Sequence, residues 1–517
     1  MIDTKLIRQK ILDLAIRGKL VPQDPSDEPA SELLKRIRAK KAALVKSGKI
    51  KKEKPLPPIS KDEIPFPIPA SWQWVRLGQL FSVVSARRVH KADWKSSGIP
   101  FYRAREIAKL AVFGFVDNEL FISQEQYEEY KQSSGVPNPG DIMVTAVGTI
   151  GKAYVVQNND LFYYKDASVI CLENHHKMNS LFFKYCFSTS FIVSQIFSKS
   201  TGTTVDTITI EKAEQYVFPL PPLAEQERIV AKVEALMNEV DTIERETENL
   251  NKTFSLTREK VLDLAIRGKL VPQDPTDEPA SELLKRIHAE KAALIKSGKL
   301  KKEKTLPPIS KDEIPFDIPA SWEWIRLGNI CSYGICKSLQ SSSIPDDAWV
   351  LDLEDIEKDS GRLLCRMLNT ERRSTSSKHV FQKGNVLYSK LRTYLNKVLV
   401  ADRDGYCTSE ILPLDFRGHV LPEYARRVLM SQMFLDYTAR CGYGVKMPRL
   451  GTEDGRMALF PLPPLAEQKR IVSKLESILS TLDVQQKTCC ATVSAPFSRQ
   501  EKHTENGRIV GADHLPD

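Results

Sequence analysis

Residues 218–270 read FPLPPLAEQERIVAKVEALMNEVDTIERETENLNKTFSLTREKVLDLAIRGKL. Pro219, Pro221 and Pro222 stand at the entrance. Glu225 and Glu227 follow in what would be a first helical turn, where carboxylates meet the positive end of the helix dipole. From Ile229 the apolar stripe runs through Val233, Leu236, Val240, Ile243, Thr247, Leu250, Phe254, Thr257, Val261 and Leu264. The steps alternate 4, 3, 4, 3, the seam of a helix that lays one narrow stripe against another helix, broken only by two threonines. At ~1.5 Å per residue the seam is about 50 Å long, and Gly268 supplies a stop. An ordinary amphipathic core helix seldom keeps phase beyond ~25 residues without caps, so the pattern predicts a long helix that needs a helical partner.

The rest of the chain supplies that partner in two pieces. FPLPPLAEQKRIV at 460–472 repeats residues 218–230 at an offset of 242, and its seam continues through Ile471, Leu475, Ile478 and Leu482 before polar and small residues take over. Ile7, Ile11 and Leu14 match Thr257, Val261 and Leu264. They adjoin a longer repeat, in which residues 11–80 recur at 261–330 with 58 of 70 positions identical. Both copies run from LDLAIRGKLVPQDP through a second helical stretch (27–49 in the first copy, with Asp27 or Ser31 near its cap) and a lysine run, KSGKIKKEK or KSGKLKKEK. A charge run is most often a solvated face. A Pro-rich connector, stiff and extended, then leads to a Trp pair, Trp72 and Trp74 or Trp322 and Trp324.

Two inserts, 75–217 and 325–459, lie between the repeats, similar in length and largely unlike in sequence. A period near 250 residues is far too long for a solenoid. Two near-copies predict a pseudo-two-fold molecule of class α+β. One unbroken central helix would lie antiparallel to a composite of the two chain ends, with an insert domain at each end of the pair. The expected layout is an N-terminal helix and lead-in (1–74), the first insert (75–217), the central helix with its lead-in (218–324), the second insert (325–459), a C-terminal helix (460–483) and a disordered tail (484–517).

Composition bounds the function. Of 517 residues, 41% are hydrophobic and 27% charged, which excludes collagen-like, wholly disordered and membrane-spanning classes. The N-terminus interleaves charges with apolar residues and is no signal peptide. Nine scattered cysteines, none in a CxxC pair, fit a reducing, cytoplasmic setting and give no zinc site. The net charge of +9 permits a nucleic-acid partner without demanding one.

The inserts mix short alternating strands with helical stretches, the pattern of an α/β domain with a mostly antiparallel sheet. They align weakly where it matters. GDIMVTAVGTIGKAYVV (140–156) stands opposite GNVLYSKLRTYLNKVLV (384–400), strand–turn–strand in both, with different turns. STGTTVDTITI (200–210) stands opposite GYGVKMPRLGT (442–452). One scaffold with different chemistry at its tips is expected. The tips carry side chains suited to DNA: Arg and Lys can fork to guanine, Ser and Thr serve base edges or phosphate, and Gly lets backbone N–H approach phosphate. The candidates are Arg103, Arg105, Lys152 and the loop Ser200, Thr201, Gly202, Thr203 and Thr204 in the first insert. In the second they are Lys390, Arg392, Tyr394, Lys446 and Arg449. Asp352, Glu354, Asp355 and Glu357 lack the lysine spacing of a metal nuclease and read as a solvated loop. No P-loop, amino-methyltransferase, hydrolase, zinc-protease or kinase motif occurs, so no catalytic residue and no metal ligand is expected.

Duplicated PLPPLAEQ helices flanking two variable domains resemble the specificity (S) subunit of type I restriction-modification enzymes, and the AIRGKLVPQDP…DEPASELLKRI block resembles the lead-in to each of that family's target-recognition domains. The likeness covers residues 1 to about 483. It implies that each variable domain binds one half of an asymmetric bipartite site on double-stranded DNA. The conserved helices would act as a ruler between the halves and as a docking surface for two modification and two restriction subunits, with no membrane involved. S-adenosylmethionine, ATP and Mg would belong to those partners, and the S subunit itself would be non-catalytic. The tail after Asp483 departs from the family's helical ending. A bivalent scaffold whose inserts bind two proteins is the alternative. Binding to random-sequence duplexes with the modification partner present separates the two.

Overall fold

The computed structural model of the protein describes residues 3–48, 55–198, 207–298, 304–373, 375–444 and 446–505. Most of each lysine run (49–54 and 299–303) therefore lies outside the described residues. The chain divides into two units, Met1–Glu246 and Thr247–Asp517.

The first unit runs α1 (Thr4–Ile16), α2 (Ala30–Lys46), β1 (Gln73–Arg76), α3 (Leu77–Leu80), β2 (Ser82–Ser85), β3 (Ile99–Tyr102), α4 (Ala104–Phe113), β4 (Phe121–Ile122), α5 (Gln124–Ser133), β5 (Ile142–Thr145), β6 (Ala153–Val155), β7 (Tyr163–Tyr164), β8 (Val169–Glu173), α6 (Ser180–Phe187), α7 (Ser190–Ser198), α8 (Ile210–Glu214), β9 (Val217–Leu220) and the first part of α9 (Leu223–Ile266). An antiparallel sheet has the order β2-β8-β5-β6; a smaller one, β4-β3-β7, contains one parallel pair, β3 with β7. β5 is buried along its whole length and β8 nearly so, because α4 covers one face through Ile107 and Leu110, against Met143, Tyr154 and Val169. Gly114 closes α4 at φ 74°, a left-handed turn that glycine adopts without Cβ strain.

The second unit continues α9 into α10 (Ala280–Lys296), β10 (Glu323–Arg326), α11 (Leu327–Ile330), β11 (Ser338–Leu339), β12 (Trp349–Leu351), β13 (Met367–Leu368), β14 (Lys378–Phe381), β15 (Val386–Ser389), β16 (Val398–Val400), β17 (Gly405–Cys407), β18 (Ile411–Leu414), α12 (Pro422–Leu429), α13 (Gln432–Cys441), α14 (Thr452–Met457), β19 (Leu459–Leu462) and α15 (Leu465–Glu505). Its sheets are β11-β14-β17-β12-β13, with β12 and β17 parallel, and the antiparallel β16-β15-β18. The fold is mixed helix and sheet in both units. Among the described residues, no helix is long and apolar enough to cross a membrane.

The near-identical stretches make the same contacts inside each unit. Trp72 Nε1 donates to Glu225 Oε2 at 2.8 Å, and Trp322 Nε1 to Glu467 Oε2 at 2.9 Å. Gln23 and Gln273 donate to the other oxygen of the same carboxylates. Gln226 and Gln468 are fully buried, each donating to a proline carbonyl two residues before its helix. Arg228 forks to Asp27 and Arg470 to Asp277. Asp27 is thus spent on Arg228, and Pro29 stands at the cap of α2. Gly18 and Gly268 have φ near +65°, and a Cβ on either would lie 2.4 Å from a ring carbon of Pro69 or Pro319. So the PQDP, Trp-x-Trp and LAEQ residues recur together because each set locks the others.

Partners on α9 fall in number as those on α1 and its following loop rise: Arg8 bonds Asp241 and Glu244, while Gln23 bonds Glu225. In the second unit Asn251 meets Gln486, Arg258 meets Asp483, and Gln273 meets Glu467. Along these helices Ile229, Val233, Val240, Ile471 and Leu475 are buried, and Leu236, Ile243, Leu250, Ile478 and Leu482 half-buried.

Three expectations are corrected. α15 does not stop at Asp483 but runs to Glu505. Apolar stripes are only one way to hold a helix, and here Gln486 donates to Asn251 at 2.7 Å and accepts from Arg258 at 2.8 Å. Residues 506–517 of the expected tail lie outside the described residues. Next, the boundaries drawn at 74/75, 217/218, 324/325 and 459/460 all fall inside strands, because β1 pairs with β9 and β10 with β19. Each pair joins the end of one repeated block to the start of the other, so these strands belong to the repeated frame, and the longer repeat runs on past β1 and β10 through Arg76, Leu77 and Gly78 and through Arg326, Leu327 and Gly328. Finally, the acidic cluster is not wholly a solvated loop. Asp355 is buried and takes two hydrogen bonds from Arg372, and Asp352 accepts from Lys378.

Candidate nucleic-acid interface

In the second unit the chain turns between β15 and β16 through Lys390 to Asn396. Arg392 and Asn396 both sit in left-handed backbone, φ 50°, around a single 3-10 turn. Such backbone costs a non-glycine residue energy and must be held by its surroundings. The hold comes from a second loop: the Arg392 N–H donates to the Pro448 carbonyl at 2.7 Å, Leu450 N–H to the Lys390 carbonyl at 2.9 Å, and Leu391 bridges Arg449. The structure therefore brings Lys390, Arg392, Tyr394, Lys446 and Arg449 to one tip. Lys390 and Arg392 are half-buried, Tyr394 and Lys446 exposed. Arg449 is half-buried and engaged, with Nε and one terminal nitrogen donating to Glu410 at 3.2 and 3.3 Å. The Nε of Arg392 is buried with no partner among the described residues. Arg392 also lines a cleft of about 520 Å³ with Asp352, Glu354, Ser389, Lys397 and Met447.

The first unit builds the same place from other residues. The turn between β5 and β6 carries Lys152, which is exposed. Thr145 fastens its base, accepting from Lys152 N–H at 2.9 Å. Val147 bridges Thr207, and Ile208 N–H donates to the Ala146 carbonyl at 2.9 Å. Ser200, Thr201, Gly202, Thr203 and Thr204 lie outside the described residues, but the flank that carries them, from Thr207, is pinned beside the Lys152 turn.

Arg103 and Arg105 stand at the start of α4, apart from that turn. A hydrogen-bonded path joins the two places: Lys165 N–H donates to the Tyr102 carbonyl, and Ala146 N–H to the Ser168 carbonyl. Both arginines converge on the buried Glu106, Arg103 at 2.8 and 3.1 Å and Arg105 at 2.9 Å; Arg105 also reaches Glu119 at 3.5 Å. Burial disfavours the Glu106 carboxylate, but the bonds from Arg103 and Arg105 outweigh it and hold the carboxyl at about 2. Neither arginine is a free cation.

Sequence reasoning missed Tyr443 and Met447, which are exposed on the second tip, and Glu410, which clasps Arg449. It also missed Arg88, strongly exposed and only 3.9 Å from Asp166, beside the base of the first tip. Tyr443 and Met447 were legible from the alignment of the 442–452 loop; Glu410 and Arg88 needed the fold. Among the described residues, no His, Cys, Asp and Glu group is arranged to hold a metal ion.

Comparisons with known proteins give the family and the fold. The sequence family described as the type I restriction modification DNA specificity domain matches residues 69–252. The chain is 32% identical to the type I restriction enzyme EcoAI specificity subunit of Escherichia coli, covering 92% of this chain and 89% of that one. It is 30% identical to the EcoEI specificity subunit of the same species, covering 93% and 89%. A solved structure from work on complex assembly and conformational transition of the type I restriction-modification system shares the fold. Its TM-score is 0.53 at 20% identity, over 85% of this chain and 97% of that one.

Proposed function

Because the chain belongs to the specificity subunits of type I restriction enzymes, we propose that each of its inserts reads one half of an asymmetric bipartite site on double-stranded DNA. The subunit would choose the sequence while two modification and two restriction subunits supply methylation and cleavage. α9 would form antiparallel coiled coils with α1 and with α15, a pseudo-two-fold arrangement in which the paired helices act as ruler and docking surface.

One observation carries this reading. The two units close their tips by the same backbone pairing, Val147 with Thr207 and Leu391 with Arg449, yet the residues presented there are unlike. A scaffold kept constant around two different sets of Arg, Lys, Thr and Tyr side chains suits two readers of two sequences. The seam residues Ile229, Val233, Leu236, Val240, Ile243 and Leu250, with Ile471, Leu475, Ile478 and Leu482, hold the helices, so the long exposed faces are left for partner subunits.

The test is base-resolution methylation sequencing of a strain that carries this chain with its modification subunit. A methylated motif in two specified parts, separated by unspecified bases, is expected. A single continuous motif would overturn the two-reader model.

A further inference from the structure

We propose that Arg449, aimed by Glu410, reads a guanine in the half-site of the second unit, with Glu410 as its positioning residue. This rests on the second unit being a DNA reader and goes one step further, to a base and a pair of side chains.

The backbone of Arg449 is fixed from two sides. It exchanges both hydrogen bonds with Tyr443, at 2.9 and 3.1 Å, and bridges Leu391. Glu410 is fixed as well: its carbonyl accepts from Lys390 N–H at 3.0 Å, and its carboxylate is mostly covered. Clasped at Nε and one terminal nitrogen, the guanidinium loses its swing about the side chain. Of its five N–H donors two are used, and the other three have no partner among the described residues. Those three include the terminal pair that forks to O6 and N7 of guanine in the major groove.

Charge decides between base and phosphate. Arg449 and Glu410 together are neutral, so the pair gains little from releasing counterions at the backbone. Its donors are directional and sit on a rigid turn, which is what base readout uses. Lys446, exposed and with no ion pair among the described residues, fits phosphate better. Tyr394, Tyr443 and Met447 rim the same tip with exposed apolar surface that would exclude water from the contact.

The experiment uses the subunit assembled with its modification subunits and duplexes carrying the methylated motif. Each guanine of the second unit's half-site is replaced in turn by 7-deazaguanine, which lacks the N7 acceptor. Wild type should lose roughly tenfold in affinity at one guanine, and Arg449→Ala should be indifferent to that replacement. Glu410→Gln keeps the shape but weakens the clasp. It should relax discrimination at that same position and leave the first unit's half-site unchanged.

If Arg449→Ala weakens every duplex alike and reduces the salt slope by about one, Arg449 binds phosphate and the proposal fails while the reader role stands. A half-site with no responsive guanine also overturns it. If replacing the whole of 325–459 leaves the motif unchanged, the reader role itself fails. Thermal melting of Glu410→Gln guards against misfolding, and Lys446→Ala serves as the phosphate-type comparison.

Discussion

Glu106 shows how much a single residue's surroundings decide. Burial works against its ionisation, yet Arg103 and Arg105 hold its carboxyl at about 2. Arg76, itself buried, does the same to Glu63 by a direct fork. An unfolded glutamate titrates near ~4.3, so both groups have depressed values in the fold. Each then adds stability that is complete above about pH 4.5 and disappears as pH falls toward 2. Glu225 and Glu467 have the opposite sign, since burial pushes them up against the bonds from Trp72 and Trp322, and they favour folding more as pH falls. Acid loss should therefore trace to the arginine-held carboxylates, Glu106 and Glu63 with Glu313 and Asp355, which Arg326 and Arg372 also hold low. Melting temperature is expected to fall between pH 4.5 and 2.5, and Glu106→Gln to make that fall shallower. An unchanged slope would remove Glu106 from the account. The sequence identified Arg103 and Arg105 as cations but not that the glutamate between them in space is buried. Its helix, α4, packs through Ile107 and Leu110 against Met143 and Tyr154, far along the chain.

At the scale of elements, the helix α9 was legible from its period, because a 4-3 alternation is a property of consecutive residues. The end of α15 was not. Polar pairs such as Gln486 with Asn251 and Arg258 leave no apolar signal, although they occupy the place that Glu244 and Arg8 hold in the first unit. The two kinds of contact should differ in weight. Leu475, 1% exposed, should cost about 2–5 kcal/mol on truncation to alanine. Gln486→Ala, which removes two half-buried polar contacts whose groups can turn to water, should cost about 1 kcal/mol. Urea denaturation of both variants measures the difference, and equal losses would place the anchoring of α15 beyond its apolar seam. A second experiment addresses the ruler. Inserting seven residues within 229–264 lengthens the helix by about 10 Å and keeps the seam in phase. The unspecified spacer of the methylated motif should grow by about three base pairs, at ~3.4 Å each. An unchanged spacer with full activity would sink the ruler.

For the whole molecule, if each insert reads one half-site as proposed, the duplicated frame around unlike inserts makes the two separable. Exchanging 75–217 for the corresponding stretch of another specificity subunit should change one half of the methylated motif and leave the other as it was. A change in both halves, or in neither, would contradict two independent readers. The sequence alone settled the duplication, the long central helix, the unlike inserts and the family, because identity and periodicity are carried by residues close together in the chain. Only the tertiary structure decided what the repeated residues are for. Trp72, Asp27 and Gln23 meet Glu225 and Arg228 from about 150 to 200 positions away, and the second unit repeats those contacts with Trp322, Asp277 and Gln273. It also decided which candidates share a tip. Lys390 and Arg449 are 59 residues apart in the chain, and only the bridge between their loops brings them together, with Glu410 beneath. A local pattern can announce a strand, a turn or a helix. The side chains that share a tip are chosen by contacts between distant segments, which no local pattern records.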